Sequence, residues 1–267
     1  MTAWLERFKA GAPAPRIADT GRVDALFRKH RMRVMLAITL GYALAYTCRL
    51  ALSVVKKPLI DEGIFSPQDL GLIGSALFYS YAFAKLVNGF LADHANIKIF
   101  FATGVIASAL VNIGMGFSTI LWASVALWAL NGWFQGFGAP SGAVSLASWF
   151  SNRERGRFYG IWSTAHSMGE GLTYYVVALF VAWLGWRAGF WVPGLICILA
   201  GLAVYALMQD RPVTLGLPTV ADWKNDHLAQ LAPPETKVLT LQFSILRIPA
   251  IWVLAVSICY GMCVLAH

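Results

Sequence analysis

Charge is scarce in this chain, and acidic charge scarcest: 13 Asp and Glu stand against 21 Lys and Arg among 267 residues, so only 13% of the chain is charged. Soluble domains carry about 25%, which excludes an ordinary water-soluble globule. Cysteine is sparse too. Cys48, Cys197, Cys259 and Cys263 all fall in apolar windows without metal-ligand spacing, so no disulfide framework, metal site or redox compartment follows, and they read as packing residues. Also missing are a glycine-rich phosphate loop ending in Lys-Ser/Thr and a His-Glu-x-x-His pair. Ser141 and Ser145 flank Gly142 with no base nearby. An enzyme finds no support, and no cofactor is implied. The basic excess flanks apolar runs and forms no separate domain, which argues against nucleic acid as a partner.

What fills the chain is apolar: 58% of its residues are hydrophobic. Windows of about 20 apolar residues can cross a bilayer, and they occur at roughly 34–54, 70–92, 98–117, 121–147, 158–183, 187–208 and 248–266. These predict an all-α polytopic membrane protein. Lys and Arg in short loops set its orientation. Arg28, Lys29, Arg31 and Arg33 precede the first span and Arg153, Arg155 and Arg157 join the fourth to the fifth, whereas Gly116 to Ile120 carries no charge. The expected amino terminus is therefore cytoplasmic, in a cell inner membrane. Residues 1–33 read as a cytoplasmic tail without a signal-peptide core, 34–208 as a six-span bundle, and 209–247 as a cytoplasmic connector rich in Pro and charge. Residues 248–267 read as a seventh span opening a truncated second half. Spans one to three are candidates for the inverted partner of spans four to six. Glycines gather in span four and early span five (Gly132, Gly136, Gly138, Gly142, Gly169, Gly171), where small residues let helices approach or bend.

Three basic residues stand well inside the spans: Arg49, Lys85 and His166. A central Arg or Lys costs roughly 2.5–3.5 kcal/mol on the milder insertion scale, so such residues usually face a cavity. Tyr42, Tyr46 and Arg49 stand at i, i+4 and i+7 on one helical face. Tyrosine hydroxyls beside a guanidinium can grip an oxyanion, because the fork matches phosphate or carboxylate bidentately. The blander reading is an Arg49 that snorkels to the outer headgroups. Tyr81 and Lys85 repeat the i, i+4 spacing in span two, with Asn88 a turn further and Asp93 closing the span; here an inward snorkel is the alternative. In span five, Trp162, His166 and Glu170 are each one turn apart. His166 can bond a substrate and gain a proton as an anion enters. Glu170 either neutralises Lys85 or His166 in the empty site or pairs with Arg49 to hold the bundle. No carboxylate lies beside Arg49 in its own span, so an anion arriving from outside the chain is the expected counter-charge.

The ordered set of motifs resembles the organophosphate:phosphate antiporter family of the major facilitator superfamily, over about residues 30–230. It comprises Tyr42-x-x-x-Tyr46-x-x-Arg49, Lys56-Lys57-Pro58-Leu59, Tyr81-x-x-x-Lys85 with Gly89 and Asp93, and Gly132-Trp133-Phe134-Gln135-Gly136. Trp149-Phe150-Ser151-x-x-Glu154-Arg155-Gly156, Trp162-x-x-x-His166-x-x-Gly169 and the connector from Gln209-Asp210-Arg211-Pro212 to Lys224-Asn225-Asp226 complete it. The resemblance implies a major-facilitator fold, here an amino-terminal six-helix bundle plus one helix of the second half. It implies alternating-access exchange of glycerol 3-phosphate or hexose phosphate for inorganic phosphate. Arg49 would be the first-half phosphate-binding arginine and Lys85 and His166 would assist it. Tyr42, Tyr46, Tyr81, Gln135 and Trp162 would line the path, and Asp93 would be a structural loop acid. A close relative senses external sugar phosphate instead, which leaves a sensor acting through a partner kinase as the alternative, and an inactive truncated product as a third reading. The chain departs from the family at Leu50, where glycerol-phosphate carriers tend to have a second base, and at Glu170, where some members have glycine. Span seven lacks the family's second arginine. A second half or a homo-oligomer would then have to complete the path.

Overall fold

The computed structural model describes residues 8–226, 244 and 247–253. Its contacts divide the chain into one unit over residues 1–227 and another over 228–267. In the second unit, residues 249–253 are helical. The remainder of the expected connector and most of the expected seventh span, with Cys259 and Cys263, lie outside the described residues.

The first unit is all helix; its one isolated β-bridge among the described residues joins Lys9 to Ala95. Helix α1 (Thr20–Asp61) starts where the Asp19 carboxylate accepts from the Gly21 and Arg22 amides, satisfying donors a helix start leaves unpaired. Its 42 residues rise roughly 63 Å, at 1.5 Å each, twice the thickness of a hydrocarbon core. Helix α2 (Pro67–His94) opens with a capping box between Ser66 and Asp69 and with proline in its first turn. Helix α3 (Ile97–Met115) is capped by Asn96. Helices α4 (Leu121–Gln135) and α5 (Gly138–Trp149) follow. Helix α6 (Asn152–Leu172) has a second capping box, Ser151 with Glu154, and passes through a π-helical turn, Thr173–Val177, into α7 (Ala178–Leu184). Helix α8 (Ala188–Leu207) ends the bundle, and a short α9 (Val220–Lys224) lies in the connector.

Among the described residues, five helices are long and apolar enough to cross a membrane: Thr20–Asp61, Pro67–His94, Ile97–Met115, the continuous rod Asn152–Leu184, and Ala188–Leu207. The protein is thus a multi-pass membrane protein. The expected fourth span, 121–147, is instead two shorter helices, broken at Gly136 and Phe137. The first expected span also starts early: residues 20–33, read as tail, are helical. Val23, Phe27, Arg31 and Val34 recur about a turn apart and are buried, so packing extends the helix beyond the apolar window.

Helix α1 packs on α6 and α8, α2 on α4, and α3 on both α4 and α8. With α4–α5 counted as span four and α6–α7 as span five, these pairings are unchanged when spans one to three are exchanged with four to six, as inverted triplets would give. One core gathers Phe27, Ile38, Phe101, Trp149 and Phe150 at one end, and another gathers Leu59, Ile73, Trp128 and Phe190 at the other. The first core also contains Trp162 and is packed against by Tyr42.

Candidate functional site

Helices α1, α2 and α6 bring together residues far apart in sequence. Gly169 sets the closest approach: a Cβ there would collide with the Ala43 carbonyl oxygen and the Tyr46 Cβ. That contact lays the His166 ring edge-on to Tyr46, with centroids 4.6 Å apart. Tyr46 in turn meets Tyr42 at 5.2 Å, and Tyr42 meets Trp162 of α6 at 5.3 Å. The Arg49 guanidinium lies 3.8 Å above the Tyr81 ring of α2 and 5.2 Å from the Tyr46 ring, and Nη1 donates to the Tyr46 hydroxyl at 3.3 Å. Lys85 Nζ sits 5.0 Å over the other reach of Tyr81. The predicted stripes on three helices therefore meet as one continuous cluster: Tyr42, Tyr46 and Arg49 from α1, Tyr81 and Lys85 from α2, Trp162, His166 and Glu170 from α6.

Its electrostatics are lopsided. Arg49 has no carboxylate within ion-pair distance among the described residues, and its guanidinium rests on π faces. Cation–π contact with tyrosine stabilises a desolvated guanidinium but leaves its net charge intact. His166 Nε2 and Glu170 Oε2 are 4.0 Å apart, with side chains 55% and 48% exposed, so that pair is loose. Below the cluster, a cleft of about 590 Å³ is lined by Lys85, Gly89, Asp93, Pro140, Tyr159 and Trp162 among others, a size ordinary for small-ligand sites. The Trp162 indole N–H is buried without an acceptor.

Gln135 points into the bundle, away from the cluster. Gln135 is buried at 5% exposure. Its amide donates to the Ala45 carbonyl at 2.9 Å and the Ser108 hydroxyl at 2.8 Å, inside the bundle. Asp93 offers its main-chain carbonyl to Arg211 Nη2 at 2.7 Å, so the connector is latched to the end of α2. Neighbouring Asp210 accepts from the Ile97 amide at the start of α3. Sequence reasoning passed over Ser108 and Asn131, which join Gln135 in a buried network. The available signal was Asn131 and Gln135 at i, i+4 in an apolar span, since amides in such surroundings must find partners.

A sequence profile of the Major Facilitator Superfamily matches residues 38–267. The chain is 40% identical to the membrane sensor protein UhpC of Salmonella typhimurium, over 96% of this chain and 58% of that one. It is 34% identical to a probable hexose phosphate transport protein of Chlamydia muridarum, over 86% of this chain and 50% of that one. It is also 34% identical to the glycerol-3-phosphate transporter of Bacillus subtilis, over 85% and 53%. The chain thus spans little more than half the length of these relatives. Among solved structures, a bacterial homolog of the human lysosomal transporter Spinster, inward-facing and unoccupied, superposes with a TM-score of 0.59. It is 20% identical and covers 68% of this chain and 44% of that one, a likeness of fold alone.

Proposed function

On the premise that this chain belongs to the major facilitator superfamily, we propose that it is the amino-terminal portion of a carrier exchanging phosphorylated organic anions, such as hexose phosphate or glycerol 3-phosphate, for inorganic phosphate. The observation that carries this reading is Arg49: a guanidinium within an apolar span, backed by two tyrosine rings and matched by no carboxylate among the described residues. A charge so placed is stabilised most by an anion that arrives, and a phosphate oxygen pair fits its fork. Lys85 and His166 supply further positive charge to the same ligand, and Tyr42, Tyr46, Tyr81 and Trp162 form the wall. Gln135 acts behind that wall. The relatives named as hexose phosphate and glycerol-3-phosphate transporters support the substrate class.

The membrane is a bacterial inner membrane, with the amino terminus cytoplasmic, on the charge bias of the loops. Residues 34–208 form the first six-span half, residues 209–247 the connector, and residues 248–267 enter the second half. Alternating access then rocks this half against a second one, supplied by further chain or by another copy, around a ligand both halves touch. No step of this function is chemical catalysis.

A second reading, a sensor that binds the same esters and signals through a partner kinase, is supported by the relatives named as membrane sensor proteins. Flux separates the two. With the chain reconstituted in phosphate-loaded liposomes, uptake of labelled glucose 6-phosphate or glycerol 3-phosphate that needs internal phosphate is the expected result. Ester binding without exchange would favour a sensor or an unaccompanied half. Absence of binding by folded protein would overturn the anion site.

A further inference from the structure

The turn of α1 that carries Arg49 is held from behind by a closed circuit of hydrogen bonds. Gln135 Nε2 of α4 donates to the Ala45 carbonyl at 2.9 Å and to Ser108 Oγ of α3 at 2.8 Å. Ser108 Oγ donates to Asn131 Oδ1 at 2.6 Å, and Asn131 Nδ2 donates to the Cys48 carbonyl at 3.2 Å. The circuit leaves α1 at Ala45 and returns at Cys48. In α-helical geometry the Ala45 carbonyl is also the acceptor of the Arg49 amide, so the circuit begins on the carbonyl at the foot of the functional arginine. All three side chains are buried, at 1%, 0% and 5% exposure for Ser108, Asn131 and Gln135. In a low-dielectric interior each member's partners are costly to lose. One more side chain grips the same stretch, Cys197 Sγ of α8 donating to the Leu44 carbonyl at 3.0 Å.

Among the described residues nothing comparable holds the guanidinium itself, which touches Tyr46 and Tyr81 and no acid. Its direction therefore depends on how α1 is rotated about its own axis and where that turn sits. We propose that Gln135, Ser108 and Asn131 are positioning residues for Arg49: the circuit fixes the Ala45–Cys48 turn so that the guanidinium fork meets the phosphate at the angle bidentate bonding needs. This rests on the reading of Arg49 as the anion-binding group. It gives the polar residues of α3 and α4 a role in affinity without contact with the ligand.

Arg and Lys separate positioning from plain stability, because a fork needs an orientation and an ammonium acts as a point charge. The test measures glucose 6-phosphate binding by calorimetry on the purified full chain in nanodiscs. Gln135→Met and Asn131→Leu, near-isosteric and without the donors, are each made in the native background and in Arg49→Lys. Expected is a loss of about tenfold in affinity with Arg49 present and under about twofold with Arg49→Lys, a coupling between the sites. Equal losses in both backgrounds would overturn the proposal and leave the circuit a structural one. Where a variant fails to fold, as its melting temperature reveals, Ser108→Ala removes a single hydroxyl and carries the same comparison. Undiminished binding in Arg49→Lys alone, or none by the native chain, would overturn the anion-site reading underneath.

Discussion

Arg31 and Arg49 lie on one face of α1, five helical turns apart, and their surroundings are opposites. Arg31 is closed in by the protein. Its Nη2 meets Glu154 Oε1 at 2.5 Å, its guanidinium lies 4.6 Å over Phe150, 5.6 Å over Phe158 and 5.4 Å over Trp223, and its side chain is 11% exposed. Arg49 has the aromatic rings but, among the described residues, no acid. The difference is one of counter-charge: Arg31 has its acid within the protein and holds elements together, whereas on the proposed function the counter-charge of Arg49 is the ligand. Around Arg31 the surroundings are built from several elements at one end of the bundle. Trp223 of α9 stacks on Phe27 of α1 at 4.3 Å, Asp226 accepts from the Asn152 amide that begins α6 at 2.7 Å, and Trp149 donates to the Asp210 carbonyl.

The largest expected effect breaks the comparison at Arg49. Arg49→Ala should weaken phosphate-ester binding by about a hundredfold or more, since a charged hydrogen-bond pair is lost with no substitute, while the melting temperature hardly moves. Relief of the cost of holding an unpaired cation in an apolar span offsets the lost ring contacts. Calorimetry and a thermal melt on one sample check both halves, and binding that survives in Arg49→Ala would sink the site assignment.

Arg31→Ala should do the reverse. It leaves Glu154 without its partner, a loss of about 2 kcal/mol once the partial exposure of that carboxylate is allowed for, and ester affinity per folded molecule should stay within about twofold. Affinity that falls in step with stability would erase the distinction between the two arginines.

These contrasts also mark what the sequence made legible. Five of the seven apolar windows fall on helices long enough to cross a membrane, and i, i+4 spacing placed Tyr42, Tyr46 and Arg49 on one face, because both signals are local. The three stripes also converge in space. The counter-charge of Arg31 comes from 123 residues away and its aromatic bed from both sides of the bundle, so residues 20–33 looked like a tail. The break in the fourth span follows the Gly136–Phe137–Gly138 cluster, whose glycines were visible but whose helix break was not. A Cβ at Gly138 would strike Tyr42 and one at Gly136 would strike Ala84, contacts no local pattern encodes. Gln135 shows the same limit: its type announced a buried polar group, but which way it faced depended on Ser108 of another helix.

A smaller effect sharpens the Arg31 side. Burial of Glu154 disfavours its charged form, but the Arg31 hydrogen bond and the Ser151 amide outweigh that and hold its carboxyl below the ordinary 4.5. A carboxyl with a depressed folded-state pKa contributes stability that is present above the unfolded value and is lost as pH falls through the folded one. Melting temperature should therefore drop as pH is lowered below about 4.5, and the part due to this pair should be absent from Arg31→Met. A pH profile identical in the two proteins would show that the pair contributes nothing measurable.

The smallest effect concerns the acid that stands closest to breaking the contrast from the Arg49 side. Glu170 is the one carboxylate among the described residues of the site cluster, and it faces His166 across 4.0 Å with both side chains about half exposed. A pair that loose and that solvated is worth little to the fold, so its effect should fall on the ligand. When a phosphate ester enters, Glu170 competes with it for the His166 ring and repels its charge, whereas a Gln at this position keeps the shape and a hydrogen bond without the charge. Glu170→Gln should therefore tighten ester binding by about two- to fivefold at low ionic strength, with the gain shrinking as salt is raised, because exposed charges are screened within about 10 Å at 0.1 M. A salt series of binding isotherms decides it. If Glu170→Gln weakens binding at every salt concentration, Glu170 is serving as the internal counter-charge that holds His166 in place, and the α6 side of the cluster is built on the plan of Arg31 after all.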